Sequence, residues 1–489
     1  MCAAAAPACR RPIAFAAVAL AAMVAGCAVG PDYVAPAIAA PAAYKEDGSW
    51  KTAAPQPADS QAPWWAMFHD PVLDALMQEA GQANQNLRVA EAQYRQARAL
   101  ADQARAALYP SAGANAAAQR AHTNTNGLLT ADAYTLGLAA SWEPDLWGGV
   151  RRGIEAGSAA AQASADDVAG ARLSIQAALA QDYLVLRVTD RQRDLYAATI
   201  EAYARALKLT QAQHGAGVAL GSDVALAETQ LASAQAQAVD LDAQRALLEH
   251  AIAVLIGRAP AAYSLAPASA AQPFEPVVPV TPPGLPSTLL ERRPDIAAAE
   301  RRAAQANAQI GVARAAYYPS LTLGASAGLL STSIGTLFET PSRVWSLGAT
   351  LAQTLFDGGL RQARDAQAVA AYDAAVATYK QTVLAGFQAV EDNLATLRLL
   401  ADESVAQDRA VQSAQRAEQL ALVQYRAGTA TYLAVVTAQT LALSNQRSAA
   451  QLLGRRLAAS VALVAATGGG WHIDNPTEIA QASASSAKP

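Results

Sequence analysis

The chain of 489 residues has very little cysteine, few aromatic side chains and no excess of positive charge. The formal net charge is −4, from 36 Lys and Arg against 40 Asp and Glu. This balance excludes a basic nucleic-acid-binding protein, because no positive excess is available to neutralise phosphates. After the N-terminus, no uninterrupted apolar run approaches the ~18–20 residues that a membrane-spanning helix needs. Apolar residues nevertheless make up 53% of the chain, which indicates a folded protein and not a disordered one.

The sequence also lacks the common signatures of catalysis and cofactor binding. The five histidines are dispersed, and neither a P-loop nor a dinucleotide-binding glycine motif is present. Gly324-Ala325-Ser326-Ala327-Gly328 matches the nucleophile elbow of hydrolases, but it lies inside an alternating strand pattern, whereas that motif needs a strand-turn-helix context. We therefore expect no enzyme, no cofactor and no metal site.

The N-terminus has the pattern of a bacterial export signal. Arg10 and Arg11 precede an apolar segment, 13–23, that is too short to span a membrane as a mature helix. The segment Val24-Ala25-Gly26-Cys27 resembles the lipobox, in which the cysteine is lipidated and the chain is cut before it. We predict lipidation at Cys27; the alternative is an ordinary signal peptide with a coincidental cysteine. Ala28, where an aspartate commonly retains lipoproteins at the inner membrane, indicates by resemblance the outer membrane.

The chain repeats itself at an offset of about 210 residues. Tyr109-Pro110-Ser111 recurs as Tyr318-Pro319-Ser320, and the glycine-ended segment 213–217 recurs as 424–428. Two copies of one unit explain these landmarks. The predicted division is a signal peptide over 1–26, a lipid-anchored tether over 27–71, a first repeat over 72–257, a Pro-rich connector over 258–286, a second repeat over 287–468 and a C-terminal tail over 469–489.

Long proline-free stretches rich in Ala, Gln, Leu, Arg and Glu predict very long helices. A helix over 149–213 would extend ~97 Å at ~1.5 Å per residue, which suits the wall of a tube better than a globular domain. Gly217 and Gly428 suit the turns at the far end of each helical pair. The six predicted helices are 72–108, 149–213, 222–256, 287–317, 361–425 and 432–467.

Between the first and second helix of each repeat, apolar and small polar residues alternate with the period of a β-strand. The pattern is clear over 134–142, 321–329 and 345–352, whereas the strand over 110–121 is inferred mainly from the repeat. Such strands are long enough to cross a bilayer when tilted. Four strands cannot close a membrane barrel, so several copies must pool them. Two copies give eight strands, and three give the twelve that a water-filled conduit favours. A soluble coiled-coil scaffold with Ala-rich seams is an alternative, but it leaves the strands and the export signal unexplained.

Four segments of the chain resemble NodT-type outer-membrane efflux lipoproteins, relatives of TolC: 27–36, 64–73, 291–296 and 356–359. The resemblance implies a mainly α protein with membrane β-strands, a homotrimer with a 12-stranded outer-membrane barrel continued by a helical periplasmic barrel. It implies a passive exit duct for drugs and other small toxic compounds. The implied partners are a periplasmic adaptor protein, an inner-membrane transporter of the resistance–nodulation–division class and outer-membrane lipid. A protein-secretion duct of the same fold remains an alternative.

The resemblance also assigns roles to the helical turns. The implied periplasmic gate residues are Asp223 and Tyr425, although Ala434 and Thr437 stand where many relatives have acids. Asp223 can also be interpreted as an acid at a helix N-terminus, with Ser222 as the cap; both roles are compatible. The implied adaptor-contacting residues are Gly217, Val218, Ala219 and Leu220 at the first turn and Gly428, Thr429, Ala430 and Thr431 at the second.

Overall fold

The computed structural model describes residues 28–38, 41, 43–46, 63–123, 129–268, 274, 276, 278–279 and 292–469. The predicted signal peptide, Cys27, about half of the connector and all but the first residue of the predicted tail therefore lie outside the described residues. The chain divides into two compact units. Unit 1 comprises Met1–Ile38, Ala92–Ala165 and Ala298–Gln381; unit 2 comprises Ala39–Glu91, Asp166–Ala297 and Thr382–Pro489.

The order of elements is the same in the two halves of the chain. In each half a shorter helical stretch is followed by two strands, a helix of 67 residues and a helix of 35 residues. The bounds are α1 (Pro71–Ala83), α2 (Gln85–Ala106), β1 (Ser111–Thr123), β2 (Leu129–Trp142), α3 (Gly149–Gly215), α4 (Gly221–Leu255), α5 (Pro294–Ala315), β3 (Ser320–Ser331), β4 (Arg343–Ala352), α6 (Leu360–Arg426) and α7 (Tyr432–Ala466).

Unit 1 contains one antiparallel sheet in the order β1-β2-β3-β4. The register places one residue of each strand in a row across the sheet, so that Leu138, Ala327 and Trp345 are neighbours. The adjacent row has small or polar residues, and the hydroxyls of Ser326 and Ser346 in it are 2.8 Å apart. The sheet therefore has one apolar face and one face of small and polar residues. Among the described residues, β1 and β4 are each paired along one edge only.

The apolar face of the sheet is exposed within the chain. Trp345 and Leu347 are each 79% exposed, and every residue of β4 is exposed. A soluble monomer seldom leaves such a contiguous apolar surface open, so this face requires another apolar environment.

Unit 2 has its main apolar core where α1 packs with α3, α4 and α7. Leu73 and Met77 from α1 are buried with Leu179, Ile252 and Leu457. Asp70 caps α1, because its carboxylate accepts hydrogen bonds from the backbone N–H groups of the two residues that follow Pro71. These contacts join both halves of the chain in one core, which a single repeat could not bury alone.

A charged network beside this core fixes the start of the connector. The carboxylate of Asp190, 3% exposed, accepts from Arg187 and Arg245. Both guanidinium groups also donate to connector backbone carbonyls, those of Ala266 and Leu265, respectively. The buried charges are thus paired and hydrogen-bonded, as burial requires.

The prediction of one helix over 72–108 was wrong, because Asn84 interrupts it. Asn84 has an extended backbone, and its buried side chain accepts from the N–H of Leu87 at 3.0 Å and donates to the carbonyl of Leu255 at 2.7 Å. The side chain therefore caps α2 and satisfies the end of α4 at once. In the second repeat α5 begins at Pro294, and the predicted helical residues 287–291 lie outside the described residues.

One helix in the described part of the chain, Tyr432–Ala466, has the length and apolar composition of a membrane span. More than half of its most apolar window is buried. We therefore interpret α7 as a core helix of unit 2.

Candidate functional site

The two turns that join α3 to α4 and α6 to α7 are built by the same hydrogen bonds. At the first turn, the N–H of Gly217 donates to the carbonyl of His214 at 2.9 Å, and that of Val218 to Gln213 at 2.8 Å. This is a Schellman motif, which needs a left-handed residue, and Gly217 has φ of +74°. The prediction of a positive φ at this glycine is confirmed.

The second turn repeats this geometry. The N–H of Gly428 donates to the carbonyl of Tyr425 and that of Thr429 to Gln424, each at 3.0 Å, and Gly428 has φ of +73°. The two turns, 217–220 and 428–431, are called tip 1 and tip 2 below. The local sequence of a helix end followed by glycine thus determines both turns.

The tips present different side chains on the same backbone. Tip 1 exposes Val218 and Leu220, which are 77% and 69% exposed. Tip 2 has Thr429 and Thr431 at the equivalent positions, and both are exposed. The third residue of each tip, Ala219 or Ala430, is half-buried. Tip 1 is therefore an apolar protrusion and tip 2 a hydroxyl-bearing one.

Asp223 lies in the first turn of α4 and is half-buried. Its carboxylate accepts from the N–H of Leu220 at 3.2 Å, and its own N–H donates to the carbonyl of Leu220 at 3.1 Å. The carboxylate thus satisfies a backbone donor at the positive end of the helix. The prediction that Ser222 caps this helix was wrong: the helix begins at Gly221, Leu220 is the flanking residue, and Ser222 lies inside the first turn.

Tyr425 connects the two hairpins of unit 2. Its hydroxyl donates to Oε1 of Gln213 at 2.6 Å, and its ring lies 5.4 Å from that of Tyr432. Tyr432 is buried with Ala227 and Val435, and burial raises the pKa of its hydroxyl. Sequence reasoning missed Tyr432; its only signal was an aromatic residue directly after the second turn.

The structure does not join Asp223 to Tyr425 by a hydrogen bond; each is bonded elsewhere in the described part of unit 2. Ala434 and Thr437 are both exposed on α7, and the Thr437 hydroxyl donates to the carbonyl of Leu433 in its own helix. The acidic charge near the tips is consequently on the first hairpin.

In unit 1, the residues that follow Cys27 are held against α3 and α5. We call residues 28–33 the strap. The N–H of Val29 donates to the carbonyl of Trp147 at 3.0 Å, and Arg152, 5% exposed, donates to the Val29 carbonyl at 3.3 Å and to Asp32 at 2.8 Å. The strap is thus fixed at its first residues.

Further along the strap, backbone packs on backbone. Gly30 has φ of +104°, and a Cβ there would overlap the Cα of Gly311 on α5. Asn307 donates to the carbonyl of Pro31 at 3.0 Å, and the hydroxyl of Tyr33 donates to Glu300 at 2.7 Å. The sequence predicted a tether here, and the contacts of residues 28–33 with α3 and α5 were not predicted. Cys27 itself lies outside the described residues.

Comparison with known proteins agrees with this geometry. The family model described as "Outer membrane efflux protein" matches twice, over residues 76–258 and 285–469. The pyoverdine export outer membrane protein OpmQ of Pseudomonas aeruginosa is 34% identical over 422 residues, covering 84% of this chain and 88% of the relative. The antibiotic efflux pump outer membrane protein ArpC of Pseudomonas putida is 31% identical over 477 residues, covering 95% and 96%.

A solved structure of the outer-membrane channel OprN superposes with a TM-score of 0.84 at 31% identity, covering 91% of this chain and 100% of that one. The double match of the family model coincides with the two structural repeats, and the resemblance drawn from the sequence is confirmed. The chain belongs to the outer membrane efflux protein family and is an outer-membrane channel protein of the TolC-like type.

Proposed function

We propose that three copies of this chain pool their sheets into a 12-stranded barrel that crosses the outer membrane. The observation that carries the proposal is the two-faced sheet with β1 and β4 each paired on one side only among the described residues. In lipid each unpaired backbone group costs several kcal/mol, so the edges must meet strands of other copies. The apolar row that contains Leu138 and Trp345 then faces lipid, and the row with Ser326 and Ser346 lines a wet lumen.

The barrel serves as the exit duct of a three-part efflux pump for drugs and other small toxic compounds. The names of the relatives support this role, since they describe outer-membrane components for pyoverdine export and antibiotic efflux. A periplasmic adaptor protein contacts tips 1 and 2, and an inner-membrane transporter of the resistance–nodulation–division class supplies the energy. The exposed Val218 and Leu220 support a contact surface at tip 1, because apolar side chains protruding from a turn gain from being covered.

Two residues complete the proposal. Cys27 carries the lipid anchor, which the fixed strap directly after it supports. Asp223, present three times in a trimer, forms an acidic constriction with Tyr425 holding the hairpins together. The half-burial of Asp223 and the hydrogen bond from Tyr425 to Gln213 support these roles.

A deletion strain complemented with the wild-type gene tests the transport role. We expect the deletion to increase susceptibility to several unrelated drugs and complementation to restore resistance. The purified protein should migrate as a heat-sensitive trimer in detergent. Unchanged susceptibility together with loss of a secreted protein would favour a secretion duct, and a single-chain mass in native mass spectrometry would contradict the shared barrel.

Single substitutions test the anchor and the constriction. Cys27→Ser should abolish acyl labelling, and persistent labelling would place the lipid elsewhere. Asp223→Ala should raise single-channel conductance in planar bilayers, with Ser222→Ala as the matched control one residue away. Equal conductance of the two variants would mean that the constriction lies elsewhere.

A further inference from the structure

Unit 2 contains a cavity that the proposed duct does not require. It has a volume of about 580 Å³, within the range of small-molecule sites, and lies between α3, α6 and α7. It is set back from the tips, since its lining residues lie 13 or more positions from either turn along each helix. Its lining contains both polar and apolar side chains.

The polar part of the lining includes charged and amide groups without a hydrogen-bond partner among the described residues. Arg191 and Arg456 line the cavity, and neither guanidinium makes a hydrogen bond or an ion pair within the described ranges. The Nε of Arg456 is buried and unsatisfied there. The side-chain amides of Gln412, Gln415 and Gln446 also lack hydrogen bonds to any described residue. Arg191 and Gln412 are exposed, so the Nε of Arg456 is the group among them whose burial is costly, and an acceptor in the cavity would offset that cost.

One carboxylate, that of Asp408, also lines the cavity. It lies beyond ion-pair distance of Arg191 and Arg456, since the described ion pairs include none between them. The cavity therefore has two positive groups against one negative group. This excess favours an anion, and Asp408 opposes it.

The apolar part of the lining includes four large aliphatic side chains. Leu452 is 3% exposed and belongs to the packed interior of α7. A carboxylate or sulfonate alone would leave these aliphatic side chains in contact with water, whereas an anion attached to an apolar body would cover them. The aliphatic residues are Leu195, Val411, Leu452 and Leu453.

We propose that this cavity is a binding site for small organic anions with an aromatic or other apolar body. The anionic group accepts hydrogen bonds from Arg456 and Arg191, and the glutamine amides bind polar substituents of the ligand. The apolar body packs on the aliphatic side chains of the lining. Guanidinium groups suit this role because they present several donors in a fixed plane.

Two dyes with the same xanthene scaffold and opposite charge test the proposal. Fluorescein is anionic and rhodamine 6G is cationic, so the difference between them isolates the charge. Fluorescence anisotropy is measured with the full-length protein in lipid nanodiscs. We expect saturable binding of fluorescein and at least about tenfold weaker binding of rhodamine, the effect of losing one charge-assisted hydrogen bond.

Three variants assign the binding to this cavity. Arg456→Gln should weaken fluorescein binding about tenfold, because it removes the charge and leaves a shorter, neutral polar side chain. Asp408→Asn should strengthen binding, because it removes the opposing charge. Arg455→Gln is the control: it removes the same charge one residue away, where Arg455 pairs with Glu403 outside the cavity.

Each outcome decides the question. Equal binding by wild type and Arg456→Gln, equal binding of the two dyes, or no fluorescein binding at millimolar concentration overturns the proposal. If a second copy of the chain filled the cavity in the trimer, fluorescein would not bind, and the proposal would be overturned for that reason. The assay measures binding alone, so its failure is distinguishable from a failure of transport in the deletion strain.

Discussion

The two repeats have the same backbone and stabilise it with different side chains. Each repeat has a joint, which we define as the contact between the end of its 35-residue helix and the residue that precedes its last helix before the strands. At the joint of the first repeat, the side-chain amide of Asn84 donates to the carbonyl of Leu255. The second repeat has Arg293 at the equivalent position, which donates to the carbonyl of Ala466 at 3.1 Å. Leu255 and Ala466 are the last residues of α4 and α7. The repeat therefore conserves the acceptor and the geometry within this chain, while the donor changes.

The tips differ in the same way. Nδ1 of His214 donates within its own turn to the carbonyl of Ala219 at 2.9 Å. Its counterpart Tyr425 bonds instead to Gln213 of the other hairpin. Tip 1 is thus closed by its own residues, whereas tip 2 is held through a contact with the first repeat.

The glycines that end α4 and α7 should be equally intolerant of a side chain. Gly257 and Gly468 have φ of +75° and +93°, and a Cβ would overlap the carbonyl oxygens of Ala83 and Arg292, respectively. We expect Gly257→Ala and Gly468→Ala each to destabilise the protein by about 3 kcal/mol, from strain and overlap together. The thermal unfolding midpoint, followed by circular dichroism in detergent, measures this.

Gly81→Ala is the matched control, since Gly81 lies inside α1 and a Cβ there would meet no atom within 4 Å. It should stabilise the protein by about 0.5–1 kcal/mol. A tolerated alanine at Gly468 alone would show that the second joint is looser than the first.

The donors at the two joints should differ in importance. Asn84 is 3% exposed and makes two hydrogen bonds, so Asn84→Ala should cost about 2 kcal/mol by leaving buried groups unsatisfied. The Arg293 side chain is 16% exposed and also pairs with Asp295, so Arg293→Ala should cost about 1 kcal/mol. Chemical denaturation of the two variants under one condition gives the comparison. A larger loss for Arg293→Ala would contradict the ranking.

Removing one hydroxyl should loosen tip 2. Tyr425→Phe deletes the hydrogen bond to Gln213 and should cost about 1 kcal/mol. Amide hydrogen exchange should accelerate at residues 428–432. Tyr94→Phe is the control, because the Tyr94 hydroxyl makes no hydrogen bond to a residue that the structure describes. Faster exchange in both variants would indicate a general loss of stability and not a contact specific to tip 2.

The smallest effect concerns one acid in the middle of α3. Burial raises the pKa of Asp182, whose counterpart in α6 is Asn393. Because folding raises this pKa, the carboxyl lowers the free energy of unfolding once pH exceeds its pKa in the unfolded state. The loss reaches its full size above its pKa in the folded state. Asp182→Asn, which copies the other repeat, should stabilise the protein at pH 7 by about 0.5 kcal/mol, allowing for the partial exposure of the group. The gain should vanish as pH falls below the ordinary aspartate pKa of about 4, and a gain that persists in acid would contradict this cause.

Local signals were sufficient for much of this fold. The long proline-free segments predicted α3, α4, α6 and α7 to within two residues at every end, and the glycines after α3 and α6 predicted the turns. The alternation of residues predicted three strands directly, and the repeat supplied β1.

The features that were missed depend on contacts between residues far apart in the chain. The break at Asn84 lies in a sequence with ordinary helix propensity, and its reason is the carbonyl of Leu255, 171 residues away. Likewise the partner of Tyr425 is 212 residues away. The prediction of a cap at Ser222 was wrong for a local reason, because the helix begins one residue earlier than the sequence pattern indicated. The roles of Asp223 and Cys27 stay predictions.

The strap determines how far a lipid on Cys27 can reach. Ala28 packs against Gly148, at the residue before α3, and adjacent Cα atoms are ~3.8 Å apart. An acyl chain at position 27 would therefore enter the bilayer beside the N-terminal end of α3, because no flexible segment would separate it from the residues packed there. Lengthening the chain beyond residue 33 would leave the depth of insertion unchanged, whereas adding residues between 27 and 28 would let such an anchor move away from the start of α3.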